Sequence, residues 1–191
     1  YDHGLSPVPS PDQKIRIVSC SNLIPLKRVH LIASTLVKLD LELQWVHFGN
    51  GRELQKIISI LNNSKKIEFI HKGHVKNAEL IDFYKNNPVN LFVHLSESEG
   101  GVPVSIQEAV SFGIPVVATD AGGIYEIINQ KTGFLLKLNP TIHEICAAIE
   151  KSNMEFASNS KFRKNVRNYW EDNFNAQTNF TKFANHLKNV S

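Results

Sequence analysis

Cysteine is almost absent from this chain of 191 residues: Cys20 and Cys146 stand alone, one in an expected strand and one in an expected helix. Two isolated thiols exclude a disulfide framework, and the plain reading is a pair of buried free thiols in a reducing compartment. Long apolar runs are missing as well. No segment approaches the ~20 residues of a membrane-spanning helix, and no secretory signal pattern opens the chain. Runs of Lys and Arg are lacking and the formal charge of +3 is mild, so a nucleic-acid partner is not implied. There is no low-complexity segment and no internal repeat beyond a strand–helix unit. What remains, 42% hydrophobic and 20% charged residues, is the balance of one globular domain.

Residues 1–13 carry Pro7, Pro9 and Pro11 among serine and glycine and read as a linker. From Lys14 onward, short apolar runs alternate with stretches of helical spacing. Strands are expected at Lys14–Cys20, Leu41–Phe48, Ile67–Ile70, Asn90–Leu95, in a run opened by Pro115, and at Gly133–Leu136. Helices are expected at Arg28–Leu39, Arg52–Leu61 and Asn77–Tyr84, the last with Asn77 as its N-cap. Others follow Pro103 and Gly122-Gly123, and another runs over Ile142–Lys151, capped by Thr141 or Pro140. Two aromatic-studded helices, Lys161–Phe174 and Gln177–Val190, close a C-terminal helical region over 157–191. Their Tyr169, Trp170, Phe174, Phe180 and Phe183 read as core or interdomain packing. The alternation predicts a single α/β, Rossmann-like domain over 14–191: a six-stranded parallel sheet flanked by helices, plus C-terminal helices.

In such a sheet ligands sit beyond the carboxyl ends of the strands. Four loops share that edge: Ser21–Leu26, Gly49–Gly51, Gly73–Val75 and Ser96–Gly101. The last is the richest. Gly100 and Gly101 lead through Val102 and Pro103 into a helix that Gly113 closes with a left-handed cap. A flexible loop before a helix N-terminus aims unpaired N–H groups and a positive dipole end at one spot, which suits an anion. Two carboxylates, Glu99 and Glu108, flank that spot. Carboxylates accept hydrogen bonds from hydroxyls, so the pair beside an anion hole suggests a ligand carrying both phosphate and sugar. Ser105 shares the helix face of Glu108. Lys27 and Arg28 follow the first strand's loop, where two cations at a helix start call for a compensating anion such as a diphosphate.

The run S-x-x-E-G from Ser96, P-x-S-x-x-E-A from Pro103, then G-x-P-V-x-A-T and G-G-x-x-E-I from Gly113 and Gly122, resembles the signature of family 4 retaining glycosyltransferases, which have the two-domain GT-B fold. The resemblance implies the donor-binding half of such an enzyme, transferring a sugar from a nucleotide-diphosphate donor to an acceptor hydroxyl. It gives Glu99 a place at the donor sugar near the reacting carbon and Glu108 the ribose. It sets Lys27, with Arg28, against the diphosphate. Gly49 and Asn50 match the glycine loop that lets backbone approach the donor, and His74 and Val75 the loop that meets the base. Val102, Val104 and Ser105 fall at the helix N-terminus that receives the phosphates. No metal is required and no cofactor beyond the donor is implied.

Two departures from the family pattern stand out. Gly100 to Gln107 is eight residues where seven are usual, and Asn22 stands where an arginine is common. The acceptor-binding N-terminal half is expected to be missing, with any membrane contact made through it. The implied setting is the cytoplasm or the inner face of the membrane. Exposed apolar surface over Phe180 to Leu187 is expected where that half would lie. The alternatives are a non-catalytic flavodoxin-like module for a phosphorylated ligand and a GT-B nucleotide-sugar epimerase.

Overall fold

The computed structural model of the chain describes residues 4–62 and 64–190, with side chains to 188. Among them, six strands form one parallel sheet: β1 (Ile15–Cys20), β2 (Leu43–Phe48), β3 (Ile67–Gly73), β4 (Leu91–His94), β5 (Val116–Thr119) and β6 (Gly133–Leu136). Their order is β3-β2-β1-β4-β5-β6. The helices are α1 (Val29–Leu36), α2 (Leu54–Leu61), α3 (Asn77–Asn86), α4 (Val104–Ser111), α5 (Ile142–Ser152), α6 (Ser160–Asn173) and α7 (Ala176–Val190). The expected six-stranded α/β architecture is therefore present. The chain winds from β1 out to β3, returns to β4 beside β1, and winds the other way to β6. That reversal opens a crevice between the carboxyl ends of β1 and β4.

The strands are apolar on both faces because both faces are covered. Val18, Val46, Phe92, Val116 and Ala118 join a core with residues of α3, α4 and α6. Ile17, Trp45, Leu91, Val93 and Val117 join a second core with residues of α1, α2 and α5. The strands that carry the crevice are thus fixed from both sides, and each side chain at their ends inherits that rigidity.

Several boundaries differ from the sequence expectation, for local reasons. The first helix starts at Val29, since Arg28 holds a left-handed conformation with φ 46. Asn77 is the first residue of α3 and not its cap; Lys76 caps it, with Glu79 reaching back to the Lys76 N–H. After Gly122-Gly123 there is one 3-10 turn, Ile124–Glu126, in place of a helix. Thr132 ends it: its hydroxyl donates to the Ile127 carbonyl at 2.7 Å and accepts from the Asn129 N–H. Thr141 does cap α5, in a reciprocal box with Glu144. A π-turn over Asn153–Ala157 joins α5 to the Asn159-capped α6.

Of the N-terminal segment, residues 1–3 lie outside the described residues. Residues 4–13 form no strand or helix, yet Ser6 is buried, donating from its backbone to Phe112 and from its hydroxyl to the Asn87 carbonyl, both at 3.0 Å. At the other end, Phe180, Phe183 and Leu187 lie along one side of α7 and are 72%, 60% and 53% exposed. No described helix is long and apolar enough to cross a membrane.

Candidate functional site

A cleft of about 710 Å³ lies over the carboxyl ends of β1, β2 and β4. Asn22, Lys27, Gly49, His74, Val75, Glu99, Pro103, Val104, Ser105 and Glu108 all line it. The loops after four separate strands therefore converge, as the shared edge implied. Cys20, Ser21, Phe48, Lys76, Asn77, Leu80 and His94 complete the lining. Burial, and then the nearby Glu108 charge, push the Cys20 thiol up to about 12, so it is an apolar part of the wall and no nucleophile.

Glu99 is the most constrained group in the cleft. Lys27 Nζ donates to its Oε1 at 2.5 Å, and His94 Nε2 reaches the same oxygen at 2.8 Å. Burial alone raises the carboxyl's pKa; bonds from His94, Lys27 and Ser96 together outweigh it and hold the value at about 2. Glu99 is an anion that only accepts, so the His94 Nε2 must carry a hydrogen. Sequence reasoning passed over His94. The one available signal was a polar residue interrupting the otherwise apolar run Leu91–Leu95.

Glu108 has the opposite character. Burial raises its pKa, and a bond from Asn77 Nδ2 offsets only part of that. It is a half-buried carboxylate short of donors, and hydroxyls of a ligand would supply them. Between the two carboxylates stands the N-terminus of α4. Its cap is Pro103, which has no N–H, and no side chain caps the helix. The first N–H groups of α4, at Val104 and Ser105, therefore meet the cleft with the positive end of the helix dipole.

Not every expected residue lines the cleft. The Arg28 guanidinium is turned to main-chain carbonyls, donating to Leu95 at 2.7 Å, Ser96 at 2.9 Å and Leu138 at 2.7 Å. It brackets the loops after β4 and β6 and does not supply the charge missing at Asn22. Asn50 is outside the lining and exposed, with its side-chain amide beside Gly73 and its backbone carbonyl accepting from the Leu23 N–H at 2.9 Å. Gly100, Gly101 and Val102 are also absent from the lining, and an added Cβ at either glycine would meet nothing within 4 Å. The eighth residue of the interval is thus accommodated in open space, which leaves Glu99 and Glu108 in one cleft. Gly122 lies directly behind Glu99: a Cβ there would fall 2.1 Å from the Glu99 carbonyl oxygen.

A buried polar chain supports the β1 loop. Trp45 Nε1 donates to Ser19 Oγ at 2.9 Å, Ser19 Oγ meets His47 Nδ1 at 2.8 Å, and His47 Nε2 meets the Ser21 carbonyl at 3.1 Å. A carbonyl only accepts, so His47 carries a hydrogen on Nε2. Burial chiefly, then the facing His71, lower its pKa from 6.5 to about 3. A depressed folded value means that stability is full above pH 6.5 and drains away as pH falls toward 3. The urea midpoint should correspond to about 2 kcal/mol less stability at pH 5 than at pH 7 from this residue. His47→Phe should flatten that slope whatever it does to the midpoint; an unchanged slope would show that the acid loss arises elsewhere.

Comparison with known proteins agrees with this fold. Residues 6–169 match the family model described as "Glycosyl transferases group 1". The GDP-mannose-dependent alpha-mannosyltransferase of Mycolicibacterium smegmatis is 30% identical over 131 residues, 68% of this chain and 32% of that protein. The Mycobacterium tuberculosis protein of the same name is 31% identical over 145 residues, 73% of this chain and 35% of that one. Among solved structures, the lipopolysaccharide outer core galactosyltransferase WaaB superposes with TM-score 0.79 at 20% identity, covering 98% of this chain and 52% of WaaB. Anabaena HepE in complex with UDP superposes with TM-score 0.74 at 20% identity, covering 92% of this chain and 49% of HepE. The chain thus spans about a third of the curated relatives and about half of the solved structures. It belongs to the family of group 1 glycosyl transferases.

Proposed function

We propose that the cleft binds a nucleotide-sugar donor and that this chain is the donor-binding half of a retaining hexosyltransferase acting on an acceptor hydroxyl. One observation carries the reading: a single cleft holds two carboxylates on either side of an uncapped helix N-terminus, with Lys27 reaching in from the β1 loop. An anion site flanked by hydroxyl acceptors fits a sugar, a diphosphate and a ribose in sequence. Lys27 and the Val104 and Ser105 N–H groups would offset the charge on the leaving diphosphate, acting where that charge develops. Glu99 would hold the sugar by a hydroxyl, and Glu108 the ribose. His74 and Val75 would meet the base, chiefly through backbone. In this reading lysine and helix dipole carry the charge, and no metal is required. HepE, whose structure contains UDP, supports the ligand class.

The same reading assigns the linker, residues 1–13, to a connection from an N-terminal acceptor-binding half, with 14–191 as the nucleotide-sugar-binding domain. The fraction of each relative that the chain covers supports this, as does the apolar side of α7. Any membrane contact would fall to that half, in the cytoplasm or at the inner face of the membrane. Calorimetric titration of this chain with UDP, GDP and ADP, each with and without EDTA, tests the proposal. One diphosphate should bind in EDTA with essentially unchanged affinity. Binding of none, or binding only with added divalent cation, would contradict it.

A further inference from the structure

Two donors meet at one oxygen. Lys27 and His94 both contact Oε1 of Glu99, at 2.5 and 2.8 Å, and their side chains are only 20% and 5% exposed. The two partners are held very differently. Lys27 ends a three-residue 3-10 turn in the loop after β1. His94 is the last residue of β4, in register with Ala118 of the neighbouring β5, inside the sheet. One partner is on a long flexible stem at the cleft wall, and the other is fixed by the strand that carries it.

The donor reading sets these partners in competition. Of the side chains lining the cleft, the lysines are Lys27 and Lys76. A diphosphate carries more negative charge than one carboxylate and draws Lys27 toward it. A Glu99 left without Lys27 and His94, with Ser96 alone beside it, would be a largely buried, under-bonded anion, free to rotate away from the sugar. We infer that His94 is a positioning residue, whose Nε2–H keeps Glu99 aimed at the donor sugar once Lys27 has turned to the diphosphate. This rests on the donor-site reading above. It assigns His94 no contact with the substrate and no proton to transfer.

The test separates positioning from packing. The affinities of this chain for UDP and UDP-glucose, and for GDP and GDP-mannose, are measured in wild type, His94→Leu and His94→Gln. A merely structural role would weaken diphosphate and sugar nucleotide together. The inference predicts that His94→Leu lowers the affinity for the sugar nucleotide relative to its diphosphate by about tenfold or more, the scale of one charge-assisted hydrogen bond. His94→Gln, whose amide can donate from a similar place, should keep the wild-type ratio within about threefold. Should His94→Leu fail to fold, His94→Asn, whose shorter amide falls short of Glu99, replaces it with the same expectation. An unchanged ratio in the Leu or Asn variant overturns the inference, as does a Gln variant that behaves like Leu. If the wild-type chain binds none of UDP, GDP and ADP, the donor reading itself fails, and this inference with it; if it binds ADP alone, the same ratio is read with ADP and ADP-glucose.

Discussion

Gly122→Ala is expected to be strongly destabilising and to disturb Glu99. The new Cβ would sit 2.1 Å from the Glu99 carbonyl oxygen, 2.7 Å from its carbonyl carbon and 3.2 Å from its Cβ. Backbone, not a flexible side-chain tip, would have to give way. The residue also has φ +60, a conformation that alanine adopts at a cost. Overpacking and backbone strain together should cost about 3 kcal/mol or more. The consequence reaches the cleft because Glu99 moves with its backbone and leaves Lys27 and His94. Chemical denaturation should therefore show the stability loss, and sugar-nucleotide binding should fall further than diphosphate binding. A variant within about 1 kcal/mol of wild type would mean that this turn does not hold Glu99 in place.

Glu108→Ala should show stability and binding moving in different directions. Without ligand the half-buried carboxylate is ionised at a cost: burial raises its pKa against a single bond from Asn77. A raised carboxyl value favours the folded state below its unfolded pKa and works against it as pH rises through the folded one. Removing the group at neutral pH therefore leaves the empty protein as stable as before or slightly more so. Diphosphate affinity, by contrast, should fall by about 2–3 kcal/mol, roughly 30- to 150-fold, as two ribose hydroxyls lose a charged acceptor. Calorimetry paired with thermal unfolding reads both effects. Equal affinity in the two proteins would remove the ribose from Glu108.

The architecture was legible because its signals are local. Six short apolar runs separated by amphipathic stretches have few solutions other than a covered parallel sheet. The spacing from Glu99 through Pro103 to Glu108 fixes a loop and a helix start within ten residues. What escaped reading was decided at long range. Arg28 looked like a cation for a diphosphate; its guanidinium instead serves carbonyls 67, 68 and 110 residues further along the chain. His94 was hidden in an apolar strand, and only the folded loop brings Glu99 back onto it. The segment after Gly122-Gly123 has helical apolar spacing in Ile124, Ile127 and Ile128, but Thr132 takes the Ile127 carbonyl and stops it after one turn. Asn77 has the composition of an N-cap, yet it sits one residue inside the helix and donates to Glu108. The extra glycine after Glu99 shifts the register of the motif in sequence, and open space around Gly100 and Gly101 accommodates it.

The most direct measurement is a crystal structure of this chain with the nucleoside diphosphate that calorimetry selects. The account predicts phosphate oxygens on the N–H groups of Val104 and Ser105, Lys27 Nζ moved from Glu99 onto the diphosphate, and both ribose hydroxyls on Glu108. It also predicts that His94 stays on Glu99. A diphosphate bound away from the N-terminus of α4, or with its ribose turned from Glu108, would contradict the central claim.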